Sequence, residues 1–305
     1  SAQVDREHQK RWNDGVGFFG FFDTIDDPEV GKALLAAAEK WVRERGMTKL
    51  RGPMSLSINE EVGVLVEGFD TPPMVMMSHH KPHQGGIAEA CGLEKVKDLY
   101  CWRYDVEELP PRALKAHQEI LALPEVKLRT IDTKNLEPEL QLVLDIQDDA
   151  WRENWGHVSL TPTEAKKAVE ALKLVIQPEL GILAEIDGKP AAMCIALPNL
   201  NEAARDLGGK LFPLGWAKLL YRLKVQTPKT ARLCLLGIKK EYRNVRRYGA
   251  LSLAMVAEIQ TRGRKLGVEW GELSWTLEDN APVNLLIRSM RGKLYKKYRV
   301  YEKAI

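Results

Sequence analysis

Cysteine is scarce in this sequence. Four residues among 305, Cys91, Cys101, Cys194 and Cys234, are scattered with no C-x-x-C pair. That spacing argues against a zinc framework or a disulfide framework. Cys194 and Cys234 lie inside apolar strand-like runs and read as small buried hydrophobes in a reducing compartment. Long apolar runs are also lacking. None approaches the ~18 residues needed to cross a bilayer, so no integral membrane segment is expected. The opening stretch, SAQVDREHQKRW, is polar and has no apolar core of a secretory signal. The cytoplasm is the default location. Net charge is only +3, too little to imply nucleic acid by itself.

What is present is the composition of a globular chain, 45% hydrophobic and 29% charged, long enough for two ordinary domains. Its charge is unevenly placed. Between Lys210 and Arg247 stand eleven Lys or Arg and one acid, Glu241. This is a local anion-attracting field on a nearly neutral protein.

Periodicity divides the first half into a strand from Val16 to about Phe22, a helix opening at Asp26-Asp27-Pro28 and stopping at Gly46, and a strand from Leu50 to Ile58. Gly63 to Met77 reads as loop. A short helix, about Gln84 to Ala90, leads to a strand near Leu99 to Val106. Prolines 110, 111 and 124 bracket a connector helix, about Arg112 to Ala122. The units are therefore 1–108, a connector 109–124, and 125–305.

The second half reads β-α-α-β-β, a helical insert, then β-α-β-α-β, with Asp187-Gly188 as a two-residue hairpin. A mixed α/β sheet with helices on both faces follows. The halves echo each other. Met54–Ile58 matches Leu273–Leu277, and Gly46 and Gly267 close the preceding helices.

The segment LCLLGIKKEYRNVRRYGALSLAMVAE, Leu233 to Glu258, carries the chemistry. An apolar strand runs through a short basic turn into a helix. Turn amides and a helix N-terminus offer unpaired donors and partial positive charge, so this junction can hold a pyrophosphate. Gly249 would let the backbone approach the anion, and Arg243, Arg246 and Arg247 add charge.

This order of parts resembles the GNAT superfamily of acyl-CoA-dependent N-acyltransferases. Glu241-Tyr242-Arg243, then Arg246-Arg247-Tyr248-Gly249-Ala250-Leu251, match its cofactor loop. The strand Glu272–Leu277 with Glu278-Asp279-Asn280 fits too, as does the closing Tyr295–Lys303, and these two segments are especially similar to a bacterial tandem GNAT-like family. The likeness extends upstream to GFFGFFDTIDDPEVGKALL, RGPMSLSINEE and VEGFDTPPMVMM.

The resemblance implies acetyl-CoA or another acyl-CoA held by Ile238, Lys239, Arg243, Arg246, Arg247, Tyr248, Gly249, Ala250 and Asn280, the last toward the pantetheine arm. It implies an amine acceptor near Trp155 and His157, and a duplicated fold whose first copy is incomplete. Two features depart from the family. Only Gly249 of its phosphate-loop glycines is present, in a longer loop. Ile287 stands where many members place the Tyr that protonates the departing thiolate. The first half also starts late. Its apolar edge, Phe18 to Phe22, predicts a covering strand, from a second copy in a homodimer or from a segment upstream.

Each feature has a plainer reading. The arginines could be a solvated run, Trp155 core packing, and Glu241 a surface acid rather than a base acting through water; Glu153 ranks no higher. His157 is the other candidate base. His79, His80 and His83 lack carboxylate or cysteine partners at ligand spacing, so no metal is assigned. The cationic helix Pro213–Lys224 reads as a cover over the sheet, with membrane-surface or acyl-chain binding as rivals. A scaffold that lost catalysis with the Tyr is the rival reading of the whole.

Overall fold

Helix α2 (Pro28–Arg43) forms where the sequence places it. The Asp27 side chain accepts from the N–H of Glu29, Pro28 occupies the first turn, and Gly46 beyond the end has φ +79°. Its buried residues, Gly31, Leu35, Ala38 and Val42, recur at helical spacing. Burying Leu35 and Val42 contributes about 1.5–3 kcal/mol each.

The computed structural model describes residues 1–305, apart from the side chain of Leu174. Around α2 the first part of the chain forms β1 (Ala2–Gln3), α1 (Arg6–Trp12), β2 (Val16–Phe19), β3 (Lys49–Gly52), β4 (Met54–Ser55), β5 (Glu61–Val62), β6 (Val64–Glu67), α3 (His83–Ala90), β7 (Glu94–Asp105) and α4 (Pro111–Leu121). The remainder forms β8 (Val126–Thr130), α5 (Leu136–Trp151), α6 (Pro162–Val175), β9 (Gly181–Ile186), β10 (Lys189–Pro198), α7 (Leu200–Ala204), α8 (Gly215–Tyr221), β11 (Thr230–Ile238), α9 (Lys240–Arg243), α10 (Leu251–Lys265), β12 (Trp270–Leu277), α11 (Ala281–Ser289) and β13 (Lys293–Ala304). A reciprocal capping box between Thr161 and Glu164 starts α6. Asp187 and Gly188, both at positive φ, turn β9 into β10 as the sequence predicts.

One eleven-stranded mixed sheet runs β1-β2-β3-β13-β7-β12-β11-β10-β9-β8, with β6 also paired to β13. The order exchanges strands between the halves. β7 lies between β12 and β13, pairing Trp102 with Leu273 on one side and with Leu294 on the other. β13, the last strand of the chain, reaches across to β3 and pairs Tyr301 with Gly52. Hydrogen-bonded ladders therefore interlock the two halves.

The echo between the halves is real in three dimensions. β2 runs parallel to β3 as β11 runs parallel to β12, and Gly46 and Gly267 both have positive φ. The equivalence set by these glycines is displaced by two residues from the match of Met54–Ile58 with Leu273–Leu277. A shift of two preserves the alternation of faces along a strand, so composition could not detect it. Two other expectations change. The loop Gly63–Met77 contains β6, which β13 recruits, and the edge at Phe18 is covered by β1 of the same chain, with Gln3 opposite Phe18.

Core residues lie on both faces of the sheet. Ala113, Ala116 and Ile120 of α4 pack with Leu251, Ala254 and Met255 of α10 on one face. Leu140, Val143 and Leu144 of α5 pack with Ala165 and Val169 of α6 on the other.

Candidate functional site

Strands β11 and β12 stay paired only from Thr230 and Trp270 to Leu233 and Leu273. β11 continues beside β10 to Ile238, while β12 follows β7. The ladder with β10 skips Cys234, a bulge that bends the strand where the gap opens. Lys239 gives its N–H to Ala191 on the β10 side, at 2.9 Å. Leu236 points the other way and receives the Trp151 indole N–H on its carbonyl, at 3.1 Å. Because these directions alternate along a strand, the N–H groups of Leu236 and Ile238 open into the gap.

At the mouth of the gap the chain makes two short turns, α9 and a 3-10 turn over Arg246–Tyr248, before α10. The sequence placed the helix start at Tyr248; it lies at Leu251. Among the described residues no side chain caps α10, and its first i→i−4 bond is donated by Ala254 to Ala250. The N–H groups of Leu251, Ser252 and Leu253 therefore lie ahead of the ladder, free for an anion.

The side chains expected around this cradle divide. Arg246 is exposed beside it. Arg247 is paired with Glu125, its Nη2 lying 3.0 Å from Oε2, and holds that carboxyl below its usual range. Arg243 donates to the carbonyl of Ala150 at 2.5 Å and so fastens the turn to α5. Tyr248 stacks edge-on with Tyr242, centroids 6.1 Å apart. Gly249 has an ordinary φ of −59°, so the backbone does not require glycine; a Cβ there would meet Arg246 O at 3.3 Å. Asn280 is turned inward to its own helix, its Oδ1 accepting from Val283 N–H at 3.4 Å as the cap of α11. The orphan donors of α11 claim this oxygen, and the cap leaves the Nδ2 group of Asn280 uncommitted.

At the base of the gap lies a polar cluster that sequence reasoning missed. Glu272 on β12 is 0% exposed and sits opposite Arg232 on β11. Its carboxylate accepts from the hydroxyls of Ser274 and Tyr295, and Arg232 Nε lies 3.7 Å from it and 2.8 Å from Ser274 Oγ. Lys296, 1% exposed, donates to the carbonyls of Thr71 and Pro72 at 2.7 and 3.0 Å. Burial pushes the Lys296 ammonium down and the Tyr295 phenol up. Arg232 also holds the carbonyl of Val75 at 3.0 Å, so the loop after β6 roofs the cluster. Buried charges cost several kcal/mol each unless paired, which marks such clusters as candidate sites. The one signal available was a charged residue in each of two apolar strand runs.

The other expected residues are placed around this framework by their own contacts. His157 is buried, its Nε2 3.2 Å from Asp148 Oδ1, and its carbonyl accepts from Trp12. Burial lowers its pKa, against the pull of Asp148. Trp155 packs between Arg51 and Lys97, 5.2 and 5.6 Å from its ring. Glu241 is exposed on the short turn α9, and Glu153 pairs with Lys240 at 2.7 Å. Ile287 is buried in the core with Leu251 and Met290. His80 Nδ1 accepts from Leu65 N–H, and His83 Nε2 contacts Thr24 O at 2.8 Å.

Comparison with known proteins completes the picture. No family model matches the chain. It is 40% identical over 308 residues to Protein YghO of Escherichia coli (strain K12), covering all of this chain and 78% of that protein. It is 42% identical over 311 residues to the bacterial ceramide synthase of Caulobacter vibrioides (strain NA1000 / CB15N), covering all of this chain and 80% of that protein. Among solved structures, a GCN5-related N-acetyltransferase from Sphaerobacter thermophilus superposes with a TM-score of 0.54 at 15% identity, over 90% of this chain and 68% of that one. The glucosamine N-acetyltransferase region of a fungal multi-domain β-N-acetylglucosaminidase gives 0.52 at 13% identity, over 89% of this chain and 27% of that one. With its parallel pair parting at a bulge ahead of an uncapped helix, the chain has the GNAT fold and belongs to the family of YghO and the Caulobacter bacterial ceramide synthase.

Proposed function

We propose that this chain transfers an acyl group from acyl-CoA to the amine of a long-chain lipid. The observation that carries the reading is the gap between β11 and β12, with the uncapped N-terminus of α10 at its mouth and buried Glu272 at its base. The acceptor class is supported by the 42% identical relative named bacterial ceramide synthase, ceramides being long-chain amino alcohols acylated on nitrogen.

In this reading the donors of Leu251, Ser252 and Leu253, with Arg246, hold the diphosphate. The N–H groups of Leu236 and Ile238 line the arm. Acyl-CoA supplies an acyl group already activated as a thioester. Leu236 N–H is placed to stabilise negative charge developing on the acyl oxygen. Glu272, reached through Ser274 and Tyr295, takes the proton of the amine. One C–N bond forms, one C–S bond breaks, and the proton ends on the released thiol. A cysteine acyl intermediate is disfavoured, because burial pushes the thiols of Cys101 and Cys194 up and away from thiolate. Residues 125–305 carry the acyl-CoA site, 1–108 supply the roof over the cluster, and 109–124 join them. Dependence on acyl-CoA places the reaction in the cytoplasm.

Ile287 favours a second reading, a binding module without turnover, since it is core where many GNAT enzymes carry an acid. One experiment separates the two. The chain is mixed with a long-chain acyl-CoA and sphinganine, and free thiol and amide are measured alongside thermal melting. Acyl-CoA at ~100 times its dissociation constant adds about 2.7 kcal/mol of stability in either case. Thiol release matched by amide supports the transferase. A melting shift with acyl-CoA, but no release of its thiol when sphinganine or simpler amines are offered, supports the binding module.

A further inference from the structure

Between β10 and β11 the chain leaves the sheet for residues 199–229, which hold α7, α8 and a turn of π-helix over Arg222–Gln226. The sequence suggests a helix that covers the sheet, yet much of its apolar surface faces out. Phe212 is 83% exposed, Leu214 72% and Val225 65%, and Trp216, Leu220 and Tyr221 are exposed with them. Asn199, Ala203, Leu223 and Pro228 are buried. Asp206 fixes this orientation. It holds Lys218 at 2.7 Å and Arg222 Nη2 at 3.0 Å, while Arg222 Nη1 grips the carbonyl of Ala203 at 2.8 Å.

Charge says what would cover this face. The insert 199–229 carries six Lys or Arg against two acids, Glu202 and Asp206, a net charge of +4. Cations flanking Trp, Tyr, Phe and Leu match an anionic interface whose headgroups meet the charges and whose acyl boundary takes the apolar tips. No helix is long and apolar enough to cross a membrane, so the segment would lie on the surface. We infer that the insert 199–229 seats the protein on an anionic lipid bilayer.

The seat lies next to the buried cluster. Asn201 in α7 donates to the carbonyls of Pro73 and Met74 at 3.1 and 3.0 Å. The next carbonyl of that loop, Val75, is held by Arg232. A lipidic amine leaving the bilayer at the insert would therefore meet the roof of the gap first. The seat itself stands on surface residues and requires no turnover, so it and the transferase reading fail separately.

Vesicle flotation tests it with the full chain. Vesicles of phosphatidylcholine plus phosphatidylglycerol should carry the protein upward, and vesicles of phosphatidylcholine alone should leave it below, at least about tenfold less bound. Phe212→Glu with Leu214→Glu should weaken binding to the anionic vesicles at least about tenfold, while Leu121→Glu, at an exposed leucine outside the insert, should not. A blue shift of tryptophan emission on adding anionic vesicles should vanish in Trp216→Phe. These substitutions are at exposed positions, and unchanged melting in each variant shows that the fold is kept. Equal flotation of the Phe212→Glu, Leu214→Glu protein overturns the inference. So does a change of that protein from dimer to monomer in size-exclusion chromatography, which would make the face a contact between copies.

Discussion

The hydroxyl of Tyr295 on β13 donates to the carboxylate of Glu272 on β12, across the intervening strand β7. The long phenol side chain spans the width of β7, the strand of the first half that lies between them. Glu272→Gln keeps the shape but removes the charge beside Arg232. Turnover should fall by about 10²–10⁴-fold, with the KM for acyl-CoA little changed. Stability should drop as well, by up to about 3–5 kcal/mol, because Arg232 is left as an uncompensated buried charge. Tyr295→Phe, which keeps the carboxylate, separates the effects: a slow but stable enzyme supports proton transfer, and a full rate in both variants refutes it.

Ala250→Asp should move stability and binding in opposite directions. A carboxylate at the uncapped start of α10 complements the helix dipole and adds about 0.3–1 kcal/mol. The same charge repels a diphosphate and competes for the donors of Leu251 to Leu253. Calorimetry should therefore show a higher Tm with at least about tenfold weaker acyl-CoA binding, about 1.4 kcal/mol. Unaltered affinity would place the cofactor elsewhere.

Restoring the family's usual tyrosine should not improve the enzyme. Ile287 is buried, and Gly292 packs so closely that a Cβ on it would stand 2.4 Å from the Ile287 Cγ2. Ile287→Tyr overfills this site and should cost about 1–3 kcal/mol by chemical denaturation, with no gain in kcat. A faster variant would show that position 287 faces the reaction after all.

Acid should weaken the fold through His80. Its Nδ1 accepts the N–H of Leu65 at 3.1 Å, and burial pushes its pKa from 6.5 down to about 4. Below pH 6.5 the unfolded chain takes up a proton that the folded chain refuses until about pH 4. The contribution is thus complete above 6.5 and lost progressively as pH falls through that window. Burial shifts His8 and His157 in the same direction. His80→Asn offers an acceptor that does not titrate, and its Tm should fall less between about pH 7 and 4.5 than that of the parent. Identical slopes would show that burial of His80 does not set the acid response.

The sequence by itself determined the local elements. Asp27-Pro28, Thr161-Pro162, Asp187-Gly188 and the glycines at 46 and 267 fix helix starts, a hairpin and helix ends through contacts a few residues apart. The strand, turn and helix around Arg246 were legible for the same reason, as was the order of parts that resembles GNAT proteins. Only the tertiary structure decided how the halves combine and what lies at the base of the gap. Strand pairing joins residues far apart in the chain, so nothing local announces that β7 enters the second half's sheet or that β13 leaves it for β3. The cluster of Arg232, Glu272, Tyr295 and Lys296 arises from that exchange, and the roles of Arg247 and Asn280 turn on Glu125 and on α11, partners that geometry alone selects.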